Sequence, residues 1–398
     1  MHREGKDFHS DIKKVAIIAG EASGDLHGSN LVKAIQNIDP LTQFYGIGGE
    51  KLKEAGVKII ADSSDMAVVG LTEVLSKLGF ILSVRRKFKQ SLYDENPDLL
   101  ILIDYPDFNL PLAKVAKKFG IKVFYYISPQ VWAWRKRRIY DIARYVDRMA
   151  VILPFETSIY DEVNLDVHFV GHPLLDVVKR KLSRDDALRE FGLKASGTII
   201  GILPGSRENE VAKLLPEMLK AAHILKEKIS PVQFVLPLAD TLKQEFILNI
   251  LNQYSVDVTV VENNVYDVIG LSDIVMVASG TATLETALLE IPMVIVYKVS
   301  PLSYFMGRII INVDHIGMVN IIAGKKIVPE FIQNDATSDN IANEIYDILL
   351  NIPRMDTIKG DLSQIREKLG SPGAADRAAE LAYELIEKES GVRKQKSE

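Results

Sequence analysis

Short apolar runs rich in β-branched residues alternate with helical patterns along most of the chain. Four of them, Lys14–Ala19, Leu99–Ile103, Thr198–Leu203 and Ile274–Ala278, are only five or six residues long and almost wholly apolar. Runs of this kind are typical of strands buried on both faces of a parallel sheet. Their alternation with helices predicts a doubly wound α/β fold, which binds its ligands beyond the carboxyl ends of the strands.

The predicted strands form two groups, which indicates two Rossmann-like α/β domains. A length of 398 residues agrees with two or three domains at roughly 150 residues each. We predict a polar tail over 1–12, a first domain over 13–173, a second over 174–360, and a C-terminal helix with a frayed tail over 361–398 that packs back on the first domain. The remaining predicted strands are Gln43–Ile47, Val57–Ala61, Lys122–Ile127, Arg148–Leu153, Val167–Val170, Val232–Leu236, Val256–Val261 and Met293–Tyr297.

Composition limits the classes of function. The chain has no cysteine, so disulfides and thiolate metal sites are excluded and the reducing cytosol is the expected compartment. A formal charge of −5 and a pI of about 5.9 argue against a broad nucleic-acid-binding surface. The sequence contains no apolar run near the ~18 residues that span a bilayer, and the tail 1–10 lacks the apolar centre of a secretion signal.

A strand-turn-helix corner over 273–285 predicts a nucleotide site. Ser279, Gly280 and Thr281 follow a buried strand and offer hydroxyls and first-turn amides that attract phosphate. Glu285 lies one turn into the helix, where its carboxylate can accept hydrogen bonds from ribose hydroxyls. The alternative, a capping box, requires Ser or Thr three residues before the glutamate, and that position is Ala282.

A second corner in the same domain carries an arginine. The turn Pro204-Gly205-Ser206-Arg207 follows the strand Thr198–Leu203. Arginine forms two parallel hydrogen bonds to a diphosphate and stabilises charge on a leaving group. Because a cation at a helix start is unfavourable against the helix dipole, we predict that Arg207 is functional.

Polar residues also follow two strands of the first domain. Gly20–Asp25 precedes a helix predicted over Leu26–Ile38, and Ser23 and Asp25 are equally plausible as helix caps and as substrate contacts. His27 is predicted as a packed helix residue. Asp104 lies at a strand tip, where catalytic groups collect, and is predicted as a functional carboxylate, whereas Asp107 is also explained by a helix cap.

The interval Met66–Val84 is nearly all apolar and is followed by the cationic cluster Arg85–Lys89. An interfacial helix that contacts acyl chains and anionic head groups has this composition. An ordinary buried helix with a solvated basic end has it too, and a lipid substrate would favour the first interpretation. The residues predicted to contact membrane or acyl chains are Met66, Val68, Val69, Leu71, Leu75 and Phe80.

Six motifs occur in order along the chain: Ala19–Asp25, Ile103–Asn109, Ser128–Arg135, Val170–Pro173, Leu203–Arg207 and Ala278–Glu285. Together they resemble the motifs of the lipid-A-disaccharide synthase family, and they cover the chain from Val15 to the final helix. One such motif is weakly specific, but six in register are strongly specific. The resemblance implies a GT-B type glycosyltransferase, with its two domains facing across a cleft.

The resemblance further implies transfer of 2,3-diacylglucosamine from its UDP derivative to the six-position hydroxyl of 2,3-diacylglucosamine 1-phosphate, with UDP released. It implies no metal and no cofactor, since the UDP-sugar is a substrate. The expected location is the cytoplasmic side of the inner membrane, with peripheral attachment. The partners considered are the two lipid substrates, the membrane surface and a second copy of the chain as a homodimer, without nucleic acid.

Residue roles carry over by matching motifs. Asp104 and Arg207 match positions on which the family relies for activity, and Asn320 matches a polar position near the nucleotide. The predicted nucleotide residues are thus Gly205, Ser206, Arg207, Ser279, Gly280, Thr281, Glu285 and Asn320. The predicted acceptor-side residues are Glu21, Ser23, Asp25, Asp107, Asn109 and Gln130. The sequence Gly317-Met-Val-Asn320 departs from the family's usual Ser-Leu-Pro-Asn, and loss of the proline relaxes this loop.

For an inverting reaction we hypothesise that Asp104 is the base that accepts the acceptor's proton, and that Arg207 and the corner amides hold the departing diphosphate. Two alternatives stay open from sequence. One is a sugar-nucleotide epimerase with the same nucleotide corner, and the other is a membrane-surface scaffold that binds nucleotide without chemistry.

Overall fold

A computed structural model of the chain describes residues 12–63, 71–133, 136–299 and 315–397. Two compact units account for the fold: Met1–Pro173 with Pro372–Glu398, and Leu174–Ser371. Each unit contains one parallel sheet with helices packed on it. The predicted fold class, two doubly wound α/β domains, is therefore confirmed.

In the first unit, strands and helices alternate from the start of the described chain. The elements are β1 (Lys14–Ala19), α1 (Ala22–Ile38), β2 (Gln43–Gly48), α2 (Glu50–Glu54), β3 (Lys58–Asp62), α3 (Leu71–Glu95), β4 (Leu99–Ile103), α4 (Pro106–Lys118), β5 (Lys122–Tyr126), α5 (Arg138–Tyr145), β6 (Arg148–Val151), α6 (Glu156–Ile159) and β7 (Asp166–Phe169).

The second unit repeats this alternation. Its elements are α7 (Leu174–Val177), α8 (Arg184–Glu190), β8 (Thr198–Leu203), α9 (Glu208–Lys228), β9 (Val232–Leu238), α10 (Gln244–Leu251), β10 (Val258–Glu262), α11 (Val265–Leu271), β11 (Ile274–Ala278), α12 (Thr281–Leu288), β12 (Met293–Tyr297), α13 (Met318–Ala323), β13 (Glu330–Ile332), a 3₁₀ turn (Gln333–Asp335), α14 (Ser338–Leu350) and α15 (Ile352–Lys368). The chain ends in α16 (Ala374–Ser397).

Both sheets reverse their strand order at one point. The first runs β3-β2-β1-β4-β5-β6-β7 and the second β10-β9-β8-β11-β12-β13, with every pairing parallel. The order reverses between β1 and β4 in the first sheet and between β8 and β11 in the second. Such switch points are where open α/β sheets bind ligands, because the loops leave the two strands in opposite directions.

Several predicted boundaries are wrong, for local reasons. Helix α1 begins at Ala22 instead of Leu26, because the turn residues Ser23 to Asp25 already adopt helical geometry. Helix α13 was not predicted, and residues 300–314 before it lie outside the described residues. Strand β13 was not predicted, because only three residues pair. The C-terminal helix predicted within 361–398 is the end of α15 followed by α16, separated at 369–373.

The C-terminal helix packs on the first unit, as predicted. Its Ala378, Ala379 and Ala382 are fully buried, and α16 lies against α1. Arg377 donates two hydrogen bonds to the carbonyl of Val170, at 2.9 and 2.7 Å. The chain therefore returns to the first unit after completing the second.

Candidate functional site

The predicted nucleotide corners meet at the switch point of the second sheet. The tips of β8 and β11 are neighbours, since Leu203 pairs with Val277. Beyond them lies a cavity of about 540 Å³, a size suited to a small polar ligand. The predicted residues that line it are Gly205, Ser206, Arg207, Ser279, Gly280, Thr281 and Glu285.

Backbone geometry keeps this cavity open. Gly205 has φ +114°, a backbone conformation that favours glycine, and a Cβ there would approach Oε2 of the flexible Glu210 side chain to 2.9 Å. Helix α12 begins after Gly280 without a side-chain cap and without an acidic residue in its first turn. Its first-turn amides are therefore directed at the cavity, where they suit an anion.

Arg207 is the N-cap of α9, and its side chain is 66% exposed. Its Nη1 donates to Oε1 of Glu210 at 3.0 Å. The guanidinium is therefore held at the cavity by one partly exposed carboxylate, and enough of it is free to meet a phosphate.

Glu285 lies deeper in the cavity. The hydroxyl of Tyr266 donates to its Oε1 at 3.2 Å. Burial raises the pKa of the Glu285 carboxyl, and the hydrogen bond from Tyr266 opposes that shift. A carboxylate held this way retains one oxygen for a ligand hydroxyl, which fits the predicted ribose contact.

Asn320 does not line this cavity, and its predicted nucleotide contact is corrected. Its side chain is fully buried. Its Nδ2 donates to the Val328 carbonyl at 2.9 Å and to Oε1 of Glu330 at 2.7 Å, while its Oδ1 accepts from the amides of Ile327 and Val328 at 2.8 and 3.0 Å. All of its hydrogen-bonding capacity is used inside the protein, so its role is to hold the loop after α13.

On the first sheet, the switch point brings Glu21 and Asp104 to the same edge. Ala19 pairs with Ile103, so the residues that follow β1 and β4 are neighbours. Burial and, to a smaller extent, the nearby Glu21 carboxylate together raise the pKa of Asp104 to about 6, against a hydrogen bond from the Tyr105 amide. A carboxyl group with this pKa can accept a proton near neutral pH.

The backbone of Asp104 is held in a left-handed conformation, with φ 42° at Asp104 and 45° at Tyr105. Its carbonyl accepts from the hydroxyl of Tyr125 at 2.5 Å and from Nδ2 of Asn109 at 2.6 Å. Strained turns of this kind persist where the surroundings fix them and are frequent at active sites.

Two predicted acceptor-side residues have structural roles instead. Asn109 is fully buried beneath the strand tip and holds the Asp104 carbonyl, so it does not reach a substrate. Asp25 is buried, and its carboxylate accepts from the amides of Gly49, Lys51 and Leu52 at 2.7, 2.9 and 3.2 Å. It therefore caps the start of α2 rather than its own helix, whose N-cap is Glu21.

The other acceptor-side residues lie at the surface. Glu21, Ser23 and Gln130 are exposed. Asp107 lies in the first turn of α4 and pairs with Arg138 instead of capping the helix. Their contact with an acceptor stays a prediction.

Two buried titratable groups near this edge, Glu156 and His172, were missed by the sequence analysis, whereas His27 was predicted as a packed helix residue. Glu156 follows β6 and is 1% exposed, and burial raises its pKa to about 8. Burial lowers the pKa of His27 to about 4 and of His172 to about 3. In the second unit, the cavity is also lined by Glu210, Asp240, Asn263 and Val265. Asp240, Asn263 and Val265 follow strand ends closely, which is the signal that would have identified them, whereas Glu210 lies within α9.

The predicted membrane segment is only partly described. Met66, Val68 and Val69 lie outside the described residues, as do the side chains of Leu71 and Leu75. Phe80 is 41% exposed on α3, next to the cationic turn that starts at Arg85. No helix within the described ranges combines the length and apolar character needed to cross a bilayer. In the same ranges, no three His, Asp or Glu side chains converge as a metal site.

Comparison with known proteins decides the family. The Lipid-A-disaccharide synthetase family matches residues 15–385. The chain is 57% identical, over 377 residues, to the lipid-A-disaccharide synthase of Syntrophus aciditrophicus (strain SB), covering 94% of this chain and 98% of that one. The chain belongs to the lipid-A-disaccharide synthase family. It is therefore a glycosyltransferase of lipid A biosynthesis that acts on lipid A precursors.

Solved structures of distant proteins share the fold of this member of the lipid-A-disaccharide synthase family. UDP-GlcNAc 2-epimerase from Neisseria meningitidis, bound to UDP-GlcNAc, superposes with a TM-score of 0.61 at 14% identity, covering 94% of this chain and 100% of that one. The glycotransferase of kitacinnamycin gives 0.63 at 14% identity, covering 94% and 98%. At such low identity the likeness shows the shared GT-B type fold alone.

Proposed function

We propose that the chain transfers 2,3-diacylglucosamine from its UDP derivative to the six-position hydroxyl of 2,3-diacylglucosamine 1-phosphate, with inversion at the anomeric carbon. The products are the β-linked disaccharide 1-phosphate and UDP. The observation that carries this proposal is the carboxylate of Asp104 at the first switch point, because a pKa of about 6 suits a base that works near neutral pH.

The second unit provides the donor site in this proposal. The amides of the α12 start and the guanidinium of Arg207 bind the diphosphate, while Glu285 accepts from ribose hydroxyls. The support is that all these groups border one cavity of about 540 Å³. As the glycosidic bond breaks, negative charge grows on the diphosphate, and the fixed amides and Arg207 stabilise it.

The first unit provides the acceptor site. Inversion requires the acceptor oxygen to attack from the face opposite UDP. Asp104 takes the proton of the attacking hydroxyl, and Glu21 beside it keeps the Asp104 proton affinity high. Glu21, Ser23 and Gln130 are exposed near this strand edge and are the groups that remain available for the acceptor's polar atoms.

We also propose peripheral attachment at the inner-membrane surface through α3, with the cationic turn from Arg85 facing anionic head groups. Phe80, which was predicted to contact the membrane, and Leu82 are exposed apolar residues of α3 that support this surface.

A homodimer is the proposed assembly, and light scattering of the detergent-solubilised protein tests it.

Formation of a disaccharide from labelled donor and acceptor in detergent tests the reaction directly. Release of an epimer from UDP-GlcNAc without a disaccharide would assign the chain to epimerase chemistry instead. The stereochemistry of the new linkage, read by NMR of the product, decides between inversion and retention.

Replacement of Arg207 tests the donor site. Arg207→Ala should lower kcat/KM by about 100-fold, because loss of one donor to the developing charge typically has an effect of that order. Arg189 is a matched control, since it is also an exposed arginine paired with a carboxylate three residues away. Arg189→Ala should keep wild-type kcat/KM, and equal rates for the two variants would exclude this role of Arg207.

A further inference from the structure

Glu210 is the one acidic side chain on α9 that lines the donor cavity among the described residues. One carboxylate oxygen, Oε1, accepts from Nη1 of Arg207 at 3.0 Å. The other, Oε2, lies where a Cβ on Gly205 would approach to 2.9 Å. The carboxylate therefore lies against Gly205 and against Arg207, whose guanidinium the proposed function assigns to the diphosphate.

An ordinary capping role does not explain this placement. Glu210 is three residues after the N-cap, the position from which a glutamate in a capping box reaches back to the N-cap amide. Here the N-cap is Arg207 and provides no side-chain cap, and the carboxylate contacts its guanidinium instead. Glu208, in the same helical turn, is exposed and does not line the cavity.

The charge of Glu210 also acts on the end of β12. Its carboxylate raises the pKa of the Tyr297 hydroxyl, at the end of β12, after the larger effect of burial. A carboxylate in this place orients Arg207 when the cavity is empty and repels a diphosphate that enters it.

We infer that Glu210 is a positioning residue that holds the Arg207 guanidinium at the diphosphate subsite and, through its negative charge, weakens the retention of UDP. This inference rests on the proposed function of Arg207. It has two separable parts: a carboxylate with the reach of glutamate sets the position of Arg207, and its negative charge sets the affinity for the departing nucleotide.

Two substitutions separate these parts. Glu210→Gln keeps the length and removes the charge, so UDP should bind about 3- to 10-fold more tightly, the range for one charge at a partly exposed site. Glu210→Asp keeps the charge and shortens the reach, so UDP affinity should stay near wild type. Both weaken the contact with Arg207, so kcat should fall about 5-fold in each.

The measurements are UDP titration calorimetry and steady-state kinetics with both lipid substrates in detergent. Glu208→Gln is the matched control, since it removes the same charge from the same turn, and it should change neither quantity by more than about 2-fold. Weaker UDP binding in Glu210→Gln, or equal tightening in Glu208→Gln, would overturn the inference.

A double-mutant cycle distinguishes this inference from the proposed function. If Glu210 acts on kcat through Arg207, Glu210→Gln should have no further effect on kcat in an Arg207→Ala background. Wild-type kcat in Arg207→Ala alone would reject the proposed role of Arg207 and with it the positioning part. A reduced kcat in Arg207→Ala with a fully additive double variant would reject only the inference about Glu210.

Discussion

Among single residues, the most unusual is a carboxyl group at the first switch point whose pKa lies well above the ordinary value. Burial and Glu21 raise the pKa of Asp104 to about 6. Its backbone is left-handed, with φ 42°. Tyr125 and Asn109 hold its carbonyl from below. Proton affinity and backbone strain both reduce the stability of the fold at neutral pH, which is expected where function requires an unfavourable arrangement.

The pH dependence of catalysis follows from Asp104. Because the ionised form accepts the proton, log kcat/KM should rise with pH at a slope near one and level off above about pH 6, the pKa of the folded enzyme. Asp104→Asn should abolish turnover while UDP binding survives, and asparagine tolerates the left-handed backbone. Asp94→Asn, an exposed carboxylate on α3, is the control that should retain activity.

Asp104→Asn should also increase the free energy of unfolding at neutral pH. The folded pKa of about 6 lies above the ordinary 3.8, so the stability associated with the protonated form is present below pH 3.8 and is lost as pH rises through 6. At pH 7.5, Asp104→Asn should raise the free energy of unfolding by about 1–2 kcal/mol, and near pH 4 the gain should vanish. Urea unfolding at both pH values tests this, and an equal gain at both would contradict the ionisation argument.

Glu156 makes a second prediction at this scale. Its Oε2 accepts from the Leu153 amide at 3.1 Å, and it faces the indole of Trp132. Burial raises its pKa from 4.5 to about 8, so its stabilising contribution is full below pH 4.5 and is lost as pH rises through 8. At pH 9, Glu156→Gln should be more stable than wild type by about 2–4 kcal/mol, and at pH 5 the difference should be small.

Tryptophan fluorescence is the appropriate probe for both variants, because the chain's two tryptophans, Trp132 and Trp134, belong to the first unit. If the free energy of unfolding changed with pH in the same way in wild type and in Glu156→Gln, Glu156 would not titrate in this range.

At the scale of elements, buried polar side chains fix the loops that follow the strands. Asp25 on α1 caps the start of α2 with three amide contacts. In the second unit, Glu330 at the start of β13 accepts from the amides of Ile316 and Gly317 at 3.1 and 3.0 Å. Ser279 of the nucleotide corner donates to the Ile316 carbonyl at 3.2 Å, so the loop before α13 is tied to the donor cavity.

Asn320 should therefore act on stability first and on the nucleotide second. Asn320→Ala removes four buried hydrogen bonds and should lower the free energy of unfolding of the second unit by about 2–4 kcal/mol. Hydrogen exchange should increase over 315–330. Loss of UDP affinity with unchanged exchange would instead show direct contact with the nucleotide. Asn340→Ala, an exposed asparagine on α14, is the control.

At the scale of the whole molecule, the C-terminal helix α16 completes the first unit after the second unit has been formed by the intervening chain. Arg148 of β6 is 6% exposed and donates from Nη1 to the Leu381 carbonyl at 2.9 Å and to Glu384 at 2.8 Å. Its Nε donates to Asp166 of β7 at 2.6 Å. One guanidinium thus joins two neighbouring strands to α16, which arrives more than two hundred residues later.

Arg148→Met tests this joint. Methionine retains apolar volume but leaves the Leu381 carbonyl and both carboxylates without the guanidinium, so α16 should be destabilised by about 1–3 kcal/mol. Hydrogen exchange should increase in α16 and in the facing α1, and stay unchanged in β8 to β12. Arg144→Met, on a neighbouring helix of the same unit, serves as the control, and equal exchange in both variants would contradict the proposed anchoring role.

Fold class, family and the location of both strand-tip corners follow from the amino-acid sequence alone. Periodicity and turn residues are local properties, and β1, β4, β8, β11 and β12 begin and end where the apolar runs do. Which polar side chains remain available to contact a ligand depends on tertiary packing. Asp25, Asn109 and Asn320 look like site residues in sequence, yet each is buried and bonds to backbone groups: Asp25 to the start of α2, Asn109 to the end of β4, and Asn320 to the loop after α13. Glu156 and Glu210 acquire their properties from burial and from a facing side chain, which depend on packing between elements rather than on neighbours in the chain.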